Sequence, residues 1–176
     1  MADWSVLDSA VEYDVGWFRA GYDLVERPDG ERARYYWVEP PDAAVVVALQ
    51  DGDLVMVEQY RPRWGEAVLS CPAGGVDPEE SFAAAGRREL REETGLRAGD
   101  VECLRTYRPS GWLRMAYGVV LARDLSPGDP DRDDGEFLAV RRVPLADAWS
   151  RLREDGAWGP TLVALLLAER EGALYS

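Results

Sequence analysis

Four residue types are absent from the 176-residue sequence: lysine, histidine, asparagine and isoleucine. Without histidine, general-base chemistry falls to carboxylates and metal ligation falls to oxygen. All 20 basic residues are arginine. The missing types share A/T-rich codons, so a GC-rich genome accounts for part of this composition. Any catalytic site in this chain is therefore expected to be built from carboxylates.

Cysteine is scarce, and long hydrophobic runs are missing. Cys71 and Cys103 lack a metal-binding spacing, and we expect both to be free thiols with a buried role. The first residues are polar and acidic and predict no signal peptide. The longest apolar run, residues 162–168, is too short to span a bilayer. These features predict a soluble, cytoplasmic protein.

Basic residues are scarcer than acidic ones. The sequence has 20 basic and 33 acidic residues, and the net charge is −13. Such a surface repels nucleic acid and anionic membranes, so neither is expected as a partner. The loss of lysine and the acidic excess also fit a halophilic protein, since concentrated salt screens self-repulsion. The halophile interpretation predicts that stability falls sharply below about 1 M KCl.

The length suffices for one domain with a sizeable core. An aromatic-rich β extension is expected over residues 1–40 and a larger domain over 41–176. The aromatic side chains of the extension either pack in the core or form a dimer interface or a base-stacking wall. The mixed pattern predicts an α/β/α sandwich around a mixed sheet. Strands are expected at 4–7, 11–13, 17–25, 31–39, 43–49, 54–60, 67–71, 101–107, 116–122 and 137–143, and helices at 78–94, 144–154 and 161–170, the last capped by Thr161.

The stretch from Gly74 to Leu96 contains a well-signalled helix. Asp77 is the expected N-cap, Pro78 suits the first helical position, and Glu80 is spaced as in a capping box. Gly95 supplies the left-handed stop. The sequence therefore predicts a helix with defined ends.

This helix carries its negative charge on one face. Glu89, Glu92 and Glu93 fall within an arc of roughly 100°. Such like charges are destabilising unless water or a cation neutralises them. Residues 72–75 (Pro-Ala-Gly-Gly) predict a tight loop whose carbonyls can point to the same place. Since Mg²⁺ prefers oxygen ligands and is shared with phosphates, the stretch is a candidate Mg²⁺–diphosphate site.

The pattern of Gly74, Glu80 and the run Arg88-Glu89-Leu90-Arg91-Glu92-Glu93-Thr94-Gly95-Leu96 matches the box of the Nudix hydrolases without a gap. Gln59-Tyr60-Arg61 and Pro72-Ala73-Gly74 resemble the ADP-ribose and nucleoside-diphosphate-sugar pyrophosphatase branch of that family. The resemblance implies a homodimeric enzyme that uses Mg²⁺, with Mn²⁺ as a substitute, to hydrolyse ADP-ribose to AMP and ribose 5-phosphate.

The resemblance also implies a role for each matching residue. The metal ligands would be the Ala73 carbonyl, Glu89, Glu92 and Glu93. The catalytic group would comprise Glu92, Arg88, which orients the carboxylates, and Glu136 as the base, with Asp133 and Asp134 as rivals. Substrate would contact Arg61 through a phosphate, and also Arg34, Ser110 and Gly111. Glu80 and Gly74 would support the ligands.

Two departures leave the substrate open. Ser70 stands where the branch carries a glutamate, and Pro109-Ser110-Gly111 is a permuted, early form of its Ser-Pro-Gly segment. One alternative is a Nudix pyrophosphatase for another nucleotide sugar, a dinucleotide or an oxidised nucleoside triphosphate. The other is a nucleotide-sensing module without catalysis, against which the complete set of box glutamates argues.

Overall fold

The computed structural model describes residues 3–128, 137–154 and 158–174. The chain divides into two compact units, Met1–Asp42 with Arg108–Ala116, and Ala43–Tyr107 with Tyr117–Ser176. The expected boundary at residue 40 stays a prediction. The strands are β1 (Ser5–Asp14), β2 (Arg19–Glu26), β3 (Arg32–Glu39), β4 (Ala43–Gln50), β5 (Asp53–Arg61), β6 (Glu66–Ser70), β7 (Ala73–Gly75), β8 (Leu96–Tyr107), β9 (Tyr117–Pro127) and β10 (Leu138–Pro144), and the helices are α1 (Phe82–Thr94), α2 (Ala148–Glu154) and α3 (Gly159–Arg170).

The first unit contains a three-stranded antiparallel sheet in the order β1-β2-β3. The segments 4–7 and 11–13, expected as separate strands, belong to one strand with two register irregularities. Asp23 of β2 is buried and accepts hydrogen bonds from Ser9 Oγ at 2.7 Å and from Trp37 Nε1 at 3.2 Å. Burial alone would raise the pKa of Asp23, but hydrogen bonds from Ser9 and Arg114 outweigh it and lower this pKa.

The second unit is built on a mixed seven-stranded sheet. Its main order is β10-β5-β4-β9-β8, with β6 paired to β5 and β7 paired to β4. Only the β4–β9 pairing is parallel among the ladders of this sheet in the described ranges. The central strand β4 is buried along most of its length, as its continuous apolar sequence predicts.

Helices cover both faces of this sheet. Val45 and Val47 of β4 pack in one core with Leu165 of α3, whereas Val46 packs in a second core with Leu90 of α1. Alternate residues of a strand point to opposite faces, so the two cores lie on opposite sides of the sheet. The predicted α/β/α arrangement is confirmed.

The N-terminus of α1 lies four residues later than the sequence predicted. Ser81 is the N-cap and its Oγ accepts a 3.2 Å hydrogen bond from the Ala84 backbone N–H. Asp77 instead begins a turn, closed by a 3.0 Å hydrogen bond from Glu80 N–H to its carbonyl. Glu79 has φ 69°, which a right-handed helix cannot contain. The predicted stop at Gly95, with φ 72°, is confirmed.

Three further local predictions were wrong. Residues 73–75, expected in a loop, form β7 because their backbone pairs with β4. The helix α3 begins after Trp158, and Thr161 lies in its first turn, where Oγ1 accepts a 3.0 Å hydrogen bond from Cys71 N–H. Both cysteines are free as expected, but Cys103 is exposed whereas Cys71 is buried.

No helix within the described ranges is long and apolar enough to cross a membrane.

Candidate active site

The strand β7 and the helix α1 meet along the carboxylate face of the helix. Glu89 and Glu93 are only 9% and 5% exposed. Glu93 Oε2 accepts a 3.1 Å hydrogen bond from the backbone N–H of Ala73. A side chain at Gly74 would overlap the Glu89 carboxyl group, so only glycine allows this approach. The structure thus brings together Ala73, Gly74, Glu89 and Glu93, as the sequence predicted.

Small residues let α1 come this close to the sheet. Ala85, Gly86 and Leu90 form its buried apolar side. A Cβ atom at Gly86 would lie 2.7 Å from Val120 of β9, so a larger residue would push the helix outward. The close packing of α1 is therefore what places its carboxylates beside β7.

Arg88 is the centre of the charged network. Its NH1 donates to Glu89 Oε1 at 2.6 Å and to Glu92 Oε2 at 3.0 Å. Its NH2 donates to Glu80 Oε2 at 3.0 Å and to the Gly75 carbonyl at 2.7 Å. One guanidinium therefore binds three carboxylates and the edge of β7. The pairing of Arg88 with Glu92, expected from their i,i+4 spacing, is present.

The hydrogen bonds between Arg88 and Glu80 stabilise the charged form of both groups. The hydrogen bond from Arg88 lowers the pKa of Glu80, against a smaller opposing effect of burial, and the Asp77 backbone N–H adds a 3.2 Å bond. The same hydrogen bond to Glu80 raises the pKa of Arg88. Both groups are therefore charged at neutral pH, and Glu80 supports Arg88 rather than capping the helix.

The oxygen atoms at this site suit the binding of a divalent metal ion. Glu89, Glu92 and Glu93 supply carboxylates and β7 supplies backbone oxygen, which are the ligands that hard cations prefer. Among the described residues, no three Asp, Glu or Cys side chains form a ready metal-binding group. Arg88 instead ties Glu89 and Glu92 together. The predicted ligand set stays a prediction.

A groove of about 590 Å³ borders Arg88 and Glu92 on the outer side of α1. We name it the arginine groove, because four of the seven described residues that line it are arginines. The groove is lined by Ala84, Arg87, Arg88, Arg91, Glu92, Arg97 and Ala98. Sequence reasoning missed it, since Arg97 comes from β8, beyond the end of the helix.

Arg61 lies at the end of β5 and faces aromatic rings. Its guanidinium carbon is 6.0 Å from the ring centroid of Trp158, and this ring contacts Tyr117 edge-on at 6.3 Å. No ion pair within the described ranges involves Arg61. Trp158 was not predicted as a neighbour, because it lies 97 positions from Arg61 in the sequence. The phosphate-binding role of Arg61 stays a prediction.

The remaining substrate candidates lie in the first unit. The Arg34 guanidinium carbon is 4.4 Å from the ring centroid of Tyr22. Ser110 Oγ accepts a 3.3 Å hydrogen bond from Trp112 N–H, and the Gly111 carbonyl accepts a 3.5 Å bond from the Tyr35 hydroxyl. Their roles in substrate binding stay predictions.

Glu136, Asp133 and Asp134 lie outside the described residues. Their catalytic roles also stay predictions.

Comparisons with known proteins agree with this geometry. Residues 39–166 match the model of the NUDIX domain family. The ADP-ribose pyrophosphatase of Mycobacterium tuberculosis is 35% identical over 174 residues, which cover 94% of this chain and 83% of that protein. The ADP-ribose pyrophosphatase of Bacillus subtilis is 34% identical over 128 residues, which cover 70% of this chain and 69% of that protein.

A solved structure matches almost the whole chain. The crystal structure of an ADP compounds hydrolase superposes with a TM-score of 0.84 at 26% identity and covers 97% of this chain and 96% of its own. The family match spans the strand β7, the helix α1 and the network around Arg88. The chain therefore belongs to the Nudix family and is a Nudix hydrolase.

Proposed function

We propose that this enzyme hydrolyses the diphosphate bond of a nucleoside diphosphate linked to a sugar. The proposed main substrate is ADP-ribose, and its products are AMP and ribose 5-phosphate. The observation that carries the proposal is the buried carboxylate face of α1, held against β7 by Ala73 and Arg88. Two similar proteins are named ADP-ribose pyrophosphatases, and the matching structure is an ADP compounds hydrolase. These names support the choice of substrate.

A divalent metal belongs to this proposal, with Mg²⁺ as the ion and Mn²⁺ as a substitute. Glu89, Glu92, Glu93 and the Ala73 carbonyl would hold it. When bound, such a metal neutralises the charge of a diphosphate and makes water a stronger nucleophile. The closeness of Glu89 and Glu93 to β7 supports ligand roles, because it brings carboxylate oxygens beside backbone oxygens, and hard cations prefer such ligands.

The chain's own residues orient the reacting groups. Arg88 holds Glu89 and Glu92 in fixed positions, and Glu80 holds Arg88 from the other side. Arg61 would bind a substrate phosphate, since a guanidinium matches phosphate oxygens with two parallel hydrogen bonds. Glu136 would take the proton from the attacking water. Preorganised charge of this kind supplies much of the rate enhancement in phosphoryl chemistry.

The homodimer is also a proposal, supported by the first unit. The strand β1 is exposed along nearly its whole length, and it pairs with β2 alone among the described strands. Large side chains are exposed here, including Trp4, Val11, Tyr13 and Trp17. Exposed apolar surface of this extent is typical of an interaction site. A second copy of the chain would cover it, which light scattering of the purified protein would test.

The cytoplasmic location is supported by the two free cysteines, because unpaired thiols are typical of reducing compartments.

Product analysis tests the enzymatic proposal directly. The full-length protein is incubated with ADP-ribose and Mg²⁺, and phosphorus NMR follows the conversion of the diphosphate signals into two phosphate monoester signals. Removal of the metal with EDTA should stop the reaction. A panel containing other nucleotide sugars, dinucleotides and oxidised nucleoside triphosphates tests the choice of substrate. If the wild-type protein hydrolyses none of these compounds, the proposed function is wrong.

A further inference from the structure

We propose that Trp158 is a positioning residue, which holds the guanidinium group of Arg61 in the direction in which it binds a phosphate of the substrate. The inference rests on the proposed function, because it takes Arg61 as the residue that contacts the diphosphate. It adds the beginning of α3 to the parts of the chain that control substrate binding.

Arg61 has a fixed backbone and a side chain that needs support. Its carbonyl accepts hydrogen bonds of 2.9 Å from the backbone N–H groups of Trp64 and Gly65, which close the turn after β5. In the part of the chain that the structure describes, its guanidinium forms no ion pair. An arginine loses rotamer entropy when a ligand immobilises it, so a contact that restrains the side chain beforehand favours binding.

The indole ring of Trp158 supplies such a contact. The guanidinium carbon of Arg61 lies over this ring, 6.0 Å from its centroid, where the π system attracts a cation. A cation–π contact uses none of the guanidinium N–H groups. The ring can therefore restrain Arg61 and still leave its donors for phosphate oxygens.

Trp158 is itself held by neighbouring groups. Its ring meets Tyr117 edge-on at 6.3 Å, and Tyr117 stacks on Tyr107 with ring centroids 5.4 Å apart. Tyr107 and Tyr117 are cross-strand partners of β8 and β9, so the backbone ladder fixes the positions from which both rings project. The Trp158 carbonyl accepts a 3.3 Å hydrogen bond from Leu162 N–H. The indole is thus a fixed surface against which the Arg61 side chain can rest.

The same turn of α3 is tied to the carboxylate site. Thr161 follows Trp158 by three positions, and its Oγ1 accepts the 3.0 Å hydrogen bond from Cys71 N–H. Cys71 precedes Ala73 by two positions, a distance that the chain spans in at most about 7 Å. Ala73 in turn donates to Glu93. One helical turn therefore connects the support of Arg61 with the strand beside the carboxylates, which would keep the phosphate-binding and metal-binding groups at a constant spacing.

Steady-state kinetics with ADP-ribose and Mg²⁺ test the inference through a double-mutant cycle. Trp158→Leu should raise KM about threefold or more with little change in kcat, because a phosphate contact made in both the substrate and the transition state contributes uniform binding. Trp158→Phe keeps an aromatic face and should recover most of this loss. In an Arg61→Ala background, Trp158→Leu should raise KM no further, because the side chain that it positions is gone.

A second readout does not depend on turnover. The heteronuclear NOE of the Arg61 Nε–H group, whose NMR signal is assigned by its loss in Arg61→Lys, reports the order of this side chain on the ps–ns timescale. The NOE should fall in Trp158→Leu. Addition of ADP-ribose in EDTA should shift the Arg61 signal of the wild type, and Trp158→Leu should need about threefold or more ligand for the same shift.

Trp149→Leu is the matched control for the loss of a tryptophan. Trp149 is also partly buried, but it packs on the core that contains Val45 and Val47, so this variant should leave KM and the Arg61 signal as in the wild type. Circular dichroism verifies the fold of each variant, and Trp158→Met serves where Trp158→Leu does not fold.

Three results would overturn the inference. They are an unchanged KM and Arg61 signal in folded Trp158→Leu, an equal rise of KM in the wild-type and Arg61→Ala backgrounds, and an Arg61 signal of the wild type that ADP-ribose does not shift. If the wild type does not hydrolyse ADP-ribose, the proposed function is wrong, whereas the NMR comparison still decides whether Trp158 orders Arg61 for phosphate binding.

Discussion

The carboxylate of Glu93 and the backbone N–H of Ala73 are joined by a 3.1 Å hydrogen bond. This bond links the last turn of α1 to β7, although the two residues are 20 positions apart in the chain. The hydrogen bond thereby holds the Glu93 carboxylate beside β7.

Replacement of Glu93 by glutamine should lower activity without lowering stability, because it removes the negative charge and keeps a hydrogen-bond acceptor. The glutamine Oε1 can still accept the hydrogen bond from Ala73, so the thermal midpoint should change little. The lost negative charge should lower kcat for ADP-ribose by roughly 100-fold or more. Steady-state kinetics and thermal unfolding measure the two effects. Glu102→Gln on β8 is the matched control, and near-wild-type kcat in Glu93→Gln would refute the ligand role.

Gly74→Ala should impair catalysis through a steric clash. The new methyl group would overlap the Glu89 carboxyl, which must then move. We expect kcat to fall at least about tenfold, since small displacements of reacting groups are costly. Gly159→Ala, where no atom lies within 4 Å of the added Cβ, is the control and should retain full activity. Equal kinetics for both variants would contradict the packing argument.

The free energy of unfolding should decrease as the pH is lowered, because Glu80 becomes protonated. Arg88 lowers the pKa of Glu80 below its ordinary value of 4.5. A carboxyl whose pKa is lowered in the folded state stabilises the fold above its unfolded pKa and loses this contribution as pH falls through the folded pKa. Glu80→Gln should therefore lose less unfolding free energy than the wild type on acidification. Urea unfolding between pH 6 and pH 3 measures the difference.

The comparison needs a control for ordinary surface carboxylates. Glu31→Gln removes an exposed carboxylate from the first unit and should leave the pH dependence nearly unchanged. If Glu80→Gln and the wild type lose unfolding free energy in parallel, the pairing with Arg88 does not contribute to stability.

Thr161→Val should destabilise the second unit. The Thr161 side chain is 0% exposed and its hydroxyl accepts a hydrogen bond from Cys71 N–H. Valine has nearly the same shape but leaves this buried N–H without its acceptor, at a cost of about 1–3 kcal/mol. Chemical denaturation measures the loss, and Thr161→Ser should recover most of it. A valine variant as stable as the wild type would show that water replaces the hydroxyl.

The sequence predicted the features that depend on local chemistry. Gly95 ends α1 because only a residue tolerant of positive φ can follow the last turn there. The continuous apolar run of β4 indicated a strand buried on both faces. The pairing of Arg88 with Glu92 followed from their spacing on a helix. Each of these predictions needed only neighbouring residues.

The features that the sequence did not predict depend on distant contacts. Asp77 and Ser81 are both chemically suited to cap a helix, and the positive φ of Glu79 decides between them. Thr161 was assigned to a cap because its actual partner, Cys71, is 90 positions away. At the site, two features were not predicted for the same reason. They are the contact of Arg88 with the Gly75 carbonyl and the position of Arg97 beside the helix.

The two-sided packing of β4 has a consequence for folding cooperativity. Val45 and Val46 are adjacent in sequence but belong to different cores. Neither core can melt alone without distorting the backbone that both share, so the two should unfold in a single transition. The amide protons of β4 should accordingly exchange with solvent only through global unfolding, and a cavity made by Val46→Ala should accelerate exchange in α3 as much as in α1.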